Sequence, residues 1–271
     1  MKNIRIAAVV CRSPVGDIEH NLTRTEFWAG QAHNAGADVV CFPELNITGY
    51  YNHAETSALA QLVPGPATER ISELSRSSRL IILAGLVEHN PQPPGRPFAT
   101  HCVFWPDGRV DRYRKLHLAP NESAFFSAGA DIPVFCAQQA NFGIQLCYDA
   151  HFPELSTAMA AKQAHILFMP HASPRGDAAA KHLSWMRHLP ARAFDNGLFV
   201  VACNQWGENG KGLVFPGNAM VVAPSGNILA KRVVDNEGML VVDLSAADLQ
   251  TVRTHPMRYF FPNRRPELYR G

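Results

Sequence analysis

Three residues of this chain, Glu44, Lys115 and Cys147, could together attack a carbonyl carbon. Glu44 and Cys147 each follow or end a short apolar run that is typical of a buried strand, and Lys115 follows a predicted β-hairpin. In α/β folds, many functional side chains lie at such strand ends. A cysteine becomes a good nucleophile when a base or a nearby positive charge produces its thiolate. Glu44 could be that base and Lys115 that charge, so the three residue types together predict acyl transfer.

Each of these residues also has a plainer interpretation. Cys147 could be a small hydrophobe of the core, Glu44 a capping or surface carboxylate, and Lys115 a solvated charge. The segment around Lys115, however, is rich in Leu and Phe and contains Glu122, which are unusual surroundings for a solvated lysine. The backbone N–H of Tyr148, directly after the cysteine, could join Lys115 in stabilising an oxyanion. The set therefore favours catalysis more strongly than any member does alone.

The elements that would position these side chains alternate between apolar strands and amphipathic helices in both halves of the chain. The pattern predicts a strand over 142–147 that ends at the cysteine, and a single long helix over 177–197. A β-hairpin is predicted near the end of each half, with turns at 106–108 and 224–227. We expect one α/β domain over residues 1–271, with two mixed sheets packed together and helices outside. A single doubly wound sheet is the alternative.

Three blocks of the sequence resemble the signature blocks of the nitrilase superfamily, the carbon–nitrogen hydrolases. In chain order they are CFPELNITGYY, YRKLHLAPNESAFFSAG and GIQLCYDAHFPE. The resemblance spans nearly the whole chain and implies a four-layer α-β-β-α sandwich of two mixed sheets with helices outside. It also implies a catalytic triad of Glu44, Lys115 and Cys147, with Glu122 as a second glutamate. Tyr148 would supply the backbone donor to the oxyanion.

The resemblance further implies hydrolysis of a carbon–nitrogen bond through a thioester on Cys147, with release of ammonia. Tyr-Asp after the cysteine is more similar to the amidase and carbamoylase branches than to nitrilases, which more typically have Trp-Glu. A small aliphatic amide or ω-amide is the expected substrate. An N-carbamoyl amine or amino acid is the alternative, for which Arg175 is a candidate to bind the substrate carboxylate. A non-catalytic metabolite-binding protein is the alternative from another class, and the intact Glu–Lys–Cys set argues against it.

Motif position also predicts which side chains line the substrate pocket. These are Tyr50, Tyr51, Asn121, Phe126, His151, His171 and Trp206. A pair of Cys147 with a histidine is the competing catalytic scheme, but no histidine has a better claim than Glu44. We expect Asp149 and Glu154 to be structural, fixing the turn and the start of the following helix.

The composition limits which classes of partner and cofactor are expected. The chain has 271 residues and a formal net charge of +2, which gives no reason to expect a nucleic acid or a membrane as partner. The twelve histidines lack metal-binding spacings, so neither a metal nor an organic cofactor is expected. Six scattered cysteines without a C-x-x-C pair are typical of a reduced, cytoplasmic protein. The family resemblance implies a homodimer or larger homo-oligomer, with the C-terminal tail, about 253–271, packing at a subunit interface.

Overall fold

Two six-stranded sheets pack against each other in the computed structural model, which describes residues 1–92 and 95–268. Helices cover the outer surface of each sheet, so the predicted sandwich is confirmed and the single doubly wound sheet is not formed. The strands are, in chain order, β1 (Ile4–Val10), β2 (Val39–Cys41), β3 (Ile81–Glu88), β4 (Phe98–Phe104), β5 (Val110–Arg114), β6 (Phe135–Cys136), β7 (Asn141–Ile144), β8 (Ile166–His171), β9 (Phe199–Asn204), β10 (Trp206–Glu208), β11 (Val214–Pro216), β12 (Asn218–Val222), β13 (Ile228–Val233) and β14 (Gly238–Leu244). The helices are α1 (Ile18–Asn34), α2 (Pro66–Ser78), α3 (Pro153–Ala161), α4 (Ala178–Met186), α5 (Leu189–Asn196) and α6 (Ala246–Arg253).

The two sheets have the same internal plan. The first has the order β14-β1-β2-β3-β4-β5 and the second the order β13-β12-β9-β8-β7-β6. In each, three central strands are parallel, β1, β2 and β3 in one and β7, β8 and β9 in the other. Antiparallel strands flank them, and β10 and β11 form a separate ribbon. Because parallel strands end at one edge of a sheet, the loops after β2, β7 and β8 are free to meet.

Strand β1 shows how the sequence pattern builds the layers. Ile4, Ile6 and Ala8 point into the core between the sheets, whereas Ala7 and Val9 pack under helices α1 and α2. Successive strand residues face opposite sides, so a strand that is covered on both faces has apolar residues in consecutive positions. This explains why β1 is apolar from Ile6 to Val10, and only Arg5, near its exposed start, is polar.

The long helix predicted over 177–197 is wrong. The structure divides this segment into α4 and α5, which are separated at Arg187 and His188. Pro190 lies in the first turn of α5, where its missing N–H is tolerated, but its ring would clash inside a continuous helix. The break directs α5 so that Arg192 donates to the main-chain oxygens of Ala150, at 3.0 Å, and His151, at 3.1 Å.

The described part of the C-terminal tail contacts its own chain at Arg253 and Phe260. The Arg253 guanidinium donates to the carbonyl oxygens of Gly197, at 2.9 Å, and Ala164, at 2.8 Å. Phe260 lies 5.7 Å from the ring of Phe194 and remains half exposed. Residues 269–271 of the predicted tail lie outside the described residues, and its packing at a subunit interface stays a prediction. Within 1–92 and 95–268, no helix has both the length and the apolar character needed to cross a bilayer.

Candidate active site

Glu44, Lys115, Glu122 and Cys147 converge at the carboxyl ends of strands from both sheets. Glu44 follows β2, Lys115 follows β5, and Cys147 comes shortly after β7. The Lys115 Nζ donates to Oε1 of Glu44 at 2.8 Å and to Oε1 of Glu122 at 2.8 Å. All three charged side chains are buried, which is tolerable because the ammonium is paired with two carboxylates.

Glu44 follows a strand of the first sheet and is held in place by two residues that follow strands of the second. The backbone N–H of Ala172, directly after β8, donates to Glu44 Oε2 at 3.0 Å. The side-chain amide of Gln205 donates to the main-chain oxygen of Glu44 at 2.8 Å. The carboxylate therefore has a fixed direction before any ligand enters.

Glu122 has partners on both of its oxygens. The Tyr50 hydroxyl donates to Oε1 and the Ala119 N–H to Oε2, each at 2.8 Å. The Tyr50 main chain is itself fixed by the Asn209 amide at 3.0 Å. A carboxylate satisfied in this way is a rigid support for the Lys115 ammonium.

The buried ionisable groups shift one another's pKa values. Burial raises the pKa of Glu44 to about 7, with the charge of Lys115 opposing the rise and that of Glu122 adding to it. Burial alone would lower the pKa of Lys115, but Glu44 and Glu122 hold it well above its ordinary value. Burial and then the charge of Glu44 raise the pKa of the Cys147 thiol to about 12. The resting site thus contains a thiol, a charged lysine and a carboxyl group able to exchange a proton near neutral pH.

The strand predicted to run to Cys147 stops at Ile144, and the cysteine begins a 3-10 turn over Cys147–His151. Its backbone has φ of 45°, a left-handed conformation that costs about 1–3 kcal/mol outside glycine. The buried carboxylate of Asp149 accepts from the Leu146 N–H at 3.0 Å and from the Tyr113 hydroxyl at 2.7 Å. Asp149 therefore fixes the sharp turn that presents the sulfur, as expected of a structural residue.

A pocket of about 480 Å³ opens above the sulfur. Its lining is Tyr50, Asn52, Ala119, Pro120, Asn121, Glu122, Cys147, Tyr148, His151, Ala172, Ser173, Pro174, Arg175 and Leu213. Of the side chains predicted to contact substrate, Tyr50, Asn121 and His151 lie here, as does Arg175. Ala172, Ser173 and Pro174 were not predicted, although they follow the carboxyl end of a buried strand, which is the signal that found Glu44.

The other predicted substrate contacts lie outside this lining. Phe126 is packed in the core, and the ring of Tyr51 stacks on that of His53. His171 ends β8 and points to the helix layer, where it lies against Trp185, because successive strand residues face opposite sides. Trp206 belongs to the β10 ribbon, and its indole donates to Asp235, which lies between β13 and β14.

Histidine contributes little charge to this region. The pKa of His151 is lowered by burial, with Arg192 and Lys181 adding to the effect, so the ring is neutral at neutral pH. Among the residues that the structure describes, no group of three His, Cys, Asp or Glu side chains converges as a metal site requires. What the arrangement can do chemically is proton transfer from a thiol to a carboxylate beside an ammonium donor.

Comparison with known proteins gives a consistent picture. The family model described as carbon–nitrogen hydrolase matches residues 5–254. An (R)-stereoselective amidase from Pseudomonas sp is 30% identical over 88% of this chain and 84% of that protein. An omega-amidase from Homo sapiens is 27% identical over 92% of this chain and 91% of that protein.

One solved structure is similar in three dimensions along nearly the whole chain. It is a mutant of the amidase from Nesterenkonia sp. AN1, with the acetamide moiety of fluoroacetamide covalently added at its active-site cysteine. The TM-score is 0.83 at 29% identity, covering 98% of this chain and 95% of that one.

Proposed function

This chain belongs to the carbon–nitrogen hydrolase family and is a cysteine-dependent hydrolase of the amidase type, and from that premise we propose how it acts. Glu44, Lys115 and Cys147 hydrolyse a small primary amide, aliphatic or ω-amide, to a carboxylic acid and ammonia. The observation that carries this proposal is the Lys115 ammonium, bonded at 2.8 Å to Glu44 and at 2.8 Å to Glu122 beside the pocket that contains the thiol.

Acylation begins when Glu44 accepts the proton of the Cys147 thiol as the sulfur attacks the amide carbon. The carbonyl electron pair moves to oxygen, where the Lys115 ammonium and the Tyr148 N–H donate to it. Collapse of this tetrahedral species breaks the carbon–nitrogen bond. Glu44 returns the proton to the departing nitrogen, which leaves as ammonia, and a thioester remains on Cys147.

Deacylation reuses the same groups. Glu44 takes a proton from a water molecule whose oxygen attacks the thioester carbon, and Lys115 again stabilises the oxyanion. The carbon–sulfur bond then breaks, the acid is released and the sulfur regains its proton from Glu44. A carboxyl group with a pKa of about 7 suits this alternation, because it accepts and donates with little free-energy cost near neutral pH.

Glu122 acts through Lys115 in this scheme. It accepts a hydrogen bond from the same ammonium that donates to Glu44, and Tyr50 and Ala119 hold Glu122 in turn. With two carboxylates as partners, Lys115 stays charged despite burial. An oxyanion donor must be charged and preorganised, so this support contributes to the rate rather than to binding.

The size of the pocket and the similar amidases support an amide as substrate. A volume of about 480 Å³ is at the small end of the range for ligand pockets, which suits a short acyl chain. A mutant of the similar amidase in complex with butyramide favours the same class of substrate.

The test is ammonia release from a panel of aliphatic amides, ω-amides, N-carbamoyl compounds and nitriles. We expect turnover of primary amides by the wild-type chain and none by Cys147→Ala. Intact-mass measurement during turnover should find an acyl group on the wild-type chain alone. A wild-type chain that releases no ammonia from any amide, and whose Cys147 reacts with iodoacetamide no faster than a free thiol, would instead indicate a metabolite-binding protein.

A further inference from the structure

The hairpin of β10 and β11 closes one side of the pocket. Its turn, residues 209–213, places Leu213 in the pocket lining, directly before β11. Among the lining residues that the structure describes, the remaining aliphatic side chains belong to alanine and proline, so Leu213 has the largest aliphatic side chain there. Apolar contact is the main attraction open to a hydrocarbon group in water, so Leu213 is the side chain best suited to bind one.

The apolar side of this hairpin faces the pocket. Side chains two residues apart on a strand share a face, so Leu213 points the same way as Phe215, which is buried. Both pack in the apolar cluster that contains Tyr50 and Ala172. Val214, between them, is 61% exposed. The hairpin therefore presents Leu213 inward and Val214 outward.

Ala172 connects this apolar cluster to the nucleophile. Its N–H donates to the Glu44 carboxylate at 3.0 Å. Burial raises the pKa of the Cys147 thiol to about 12, and the Ala172 N–H is among the groups that oppose the rise, so the sulfur lies near it. An acyl chain on that sulfur therefore has an apolar surface beside it, which begins at Ala172 and includes Leu213.

Asn209 fixes the turn that carries Leu213. It is only 1% exposed, and its side-chain oxygen accepts from the N–H groups of Lys211, at 2.9 Å, and Leu213, at 3.1 Å. Its own main-chain N–H donates to the Leu213 carbonyl at 3.0 Å. Its side-chain amide donates to the Tyr50 carbonyl at 3.0 Å. One buried side chain thus holds Leu213 in place and joins it to another residue of the pocket lining.

Two glycines shape the backbone of this turn. Gly210 has φ of 77° and Gly212 has φ of 84°, and a Cβ at either position would meet no other atom within 4 Å. The turn therefore needs glycine for its conformation rather than for lack of space. A turn with so specific a backbone path presents Leu213 at a fixed place.

We propose that Leu213 is a specificity-determining residue, which sets the length of the acyl chain that the enzyme prefers, and that Asn209 is its positioning residue. The preferred substrates are then amides whose hydrocarbon acyl chain reaches Leu213 without being compressed by it. This inference rests on the proposed function for the attachment of the acyl group to Cys147. It concerns the end of the substrate remote from the amide, which the Glu–Lys–Cys cluster does not contact.

The test is kcat/KM for a series of unbranched amides from acetamide to octanamide. For the wild type we expect a rise of about fourfold per methylene group until the chain reaches Leu213, and a fall beyond that length. Leu213→Ala should move the optimum to a chain longer by about two carbon atoms, because it removes the isobutyl end of the side chain. Leu213→Phe should move it to a shorter chain. The same optimum in all three proteins would overturn the assignment of Leu213.

Two further variants keep the test sharp. Val214→Ala changes the neighbouring, outward-facing side chain of the same hairpin and should keep the wild-type optimum. Asn209→Ala should flatten the dependence on chain length, because Leu213 is no longer fixed. A purely structural Asn209 would lower the melting temperature and reduce kcat/KM by one common factor for all amides, which would overturn its positioning role. If Asn209→Ala does not fold, the two Leu213 variants decide the assignment of Leu213 independently.

Binding separates this inference from the function on which it rests. Calorimetry gives dissociation constants of the same amides for full-length Cys147→Ala, with and without Leu213→Ala, so that turnover plays no part. We expect the same shift of the optimum to longer chains. That shift, without ammonia release from any amide by the wild type, would leave the role of Leu213 standing and refute the proposed function alone. Turnover of amides with no shift in either measurement would refute the role of Leu213 alone.

Discussion

The backbone N–H of Ala172 donates to the Glu44 carboxylate at 3.0 Å, and these two residues follow strands of different sheets. The orientation of the carboxylate thus depends on how the sheets pack, as well as on the loop that carries it. A general base must keep a fixed direction toward the proton that it removes. The sandwich core is therefore part of what positions the chemistry.

Replacing the nucleophile should abolish turnover without unfolding the chain. Cys147→Ala removes one sulfur at the base of the pocket from a turn that Asp149 and Tyr113 hold independently. We expect no ammonia release above background and a melting temperature within a few degrees of wild type. The matched control is Cys136→Ala, an exposed cysteine away from the pocket, which should keep full activity. Comparable activity in the two variants would disprove the assignment of Cys147.

The pH dependence of kcat/KM should report Glu44. The base works when ionised, and burial raises its pKa to about 7, so activity should fall as the pH drops through about 7 rather than near 4.5. Below that point we expect close to a tenfold loss per pH unit in ammonia release. Glu44→Gln should lose activity by about a thousand-fold or more and show no such limb. An unchanged limb in a still active Gln variant would assign the titration to another group.

Arginine should not replace Lys115. Its guanidinium keeps the charge but is planar and longer, whereas Lys115 directs one compact ammonium at Glu44 and Glu122 in a closed space. We expect Lys115→Arg to lose at least about a hundred-fold in kcat, the usual effect of removing one oxyanion donor. Steady-state rates beside those of Lys115→Ala provide the check, and an Arg variant with full activity would contradict the role.

Removing the Lys115 charge should change how stability depends on pH. Lys115 opposes the rise in the pKa of Glu44, so in Lys115→Ala the folded-state pKa of Glu44 should rise further above its ordinary 4.5. A carboxyl group with a raised pKa in the folded state stabilises the fold at low pH and loses that contribution as the pH increases. The variant should therefore melt at a higher temperature at pH 5 than at pH 8. Circular dichroism measures this, with wild type as control, and parallel curves for the two proteins would refute the coupling.

Much of the site could be predicted because its charged residues stand out against apolar strands. Glu44 and Cys147 come after apolar strands and Lys115 after the first hairpin, and the resemblance to known hydrolases supplied their grouping. The left-handed backbone of Cys147 could not be predicted, since it arises from the hydrogen bond between Asp149 and Leu146 rather than from a glycine.

The misplaced pocket residues have physical causes. His171 is one position too early, and a one-residue shift along a strand reverses the face to which a side chain points. The residue type of Ser173 gives no signal, because serine is common in loops and its partner Lys181 lies on another element, so only its position after β8 could have indicated it. Pairings between distant elements are set by packing, so local pattern and propensity do not show them.

The pairing of β14 with β1 has a consequence for biosynthesis. Ile4 lies opposite Leu244, so the first sheet is complete only after residues 238–244 have left the ribosome. Until then β1, apolar on both faces, is an edge strand with unpaired N–H and C=O groups. Such edges are templates for pairing with other chains, and nascent chains that stall before this point should need chaperone protection from aggregation.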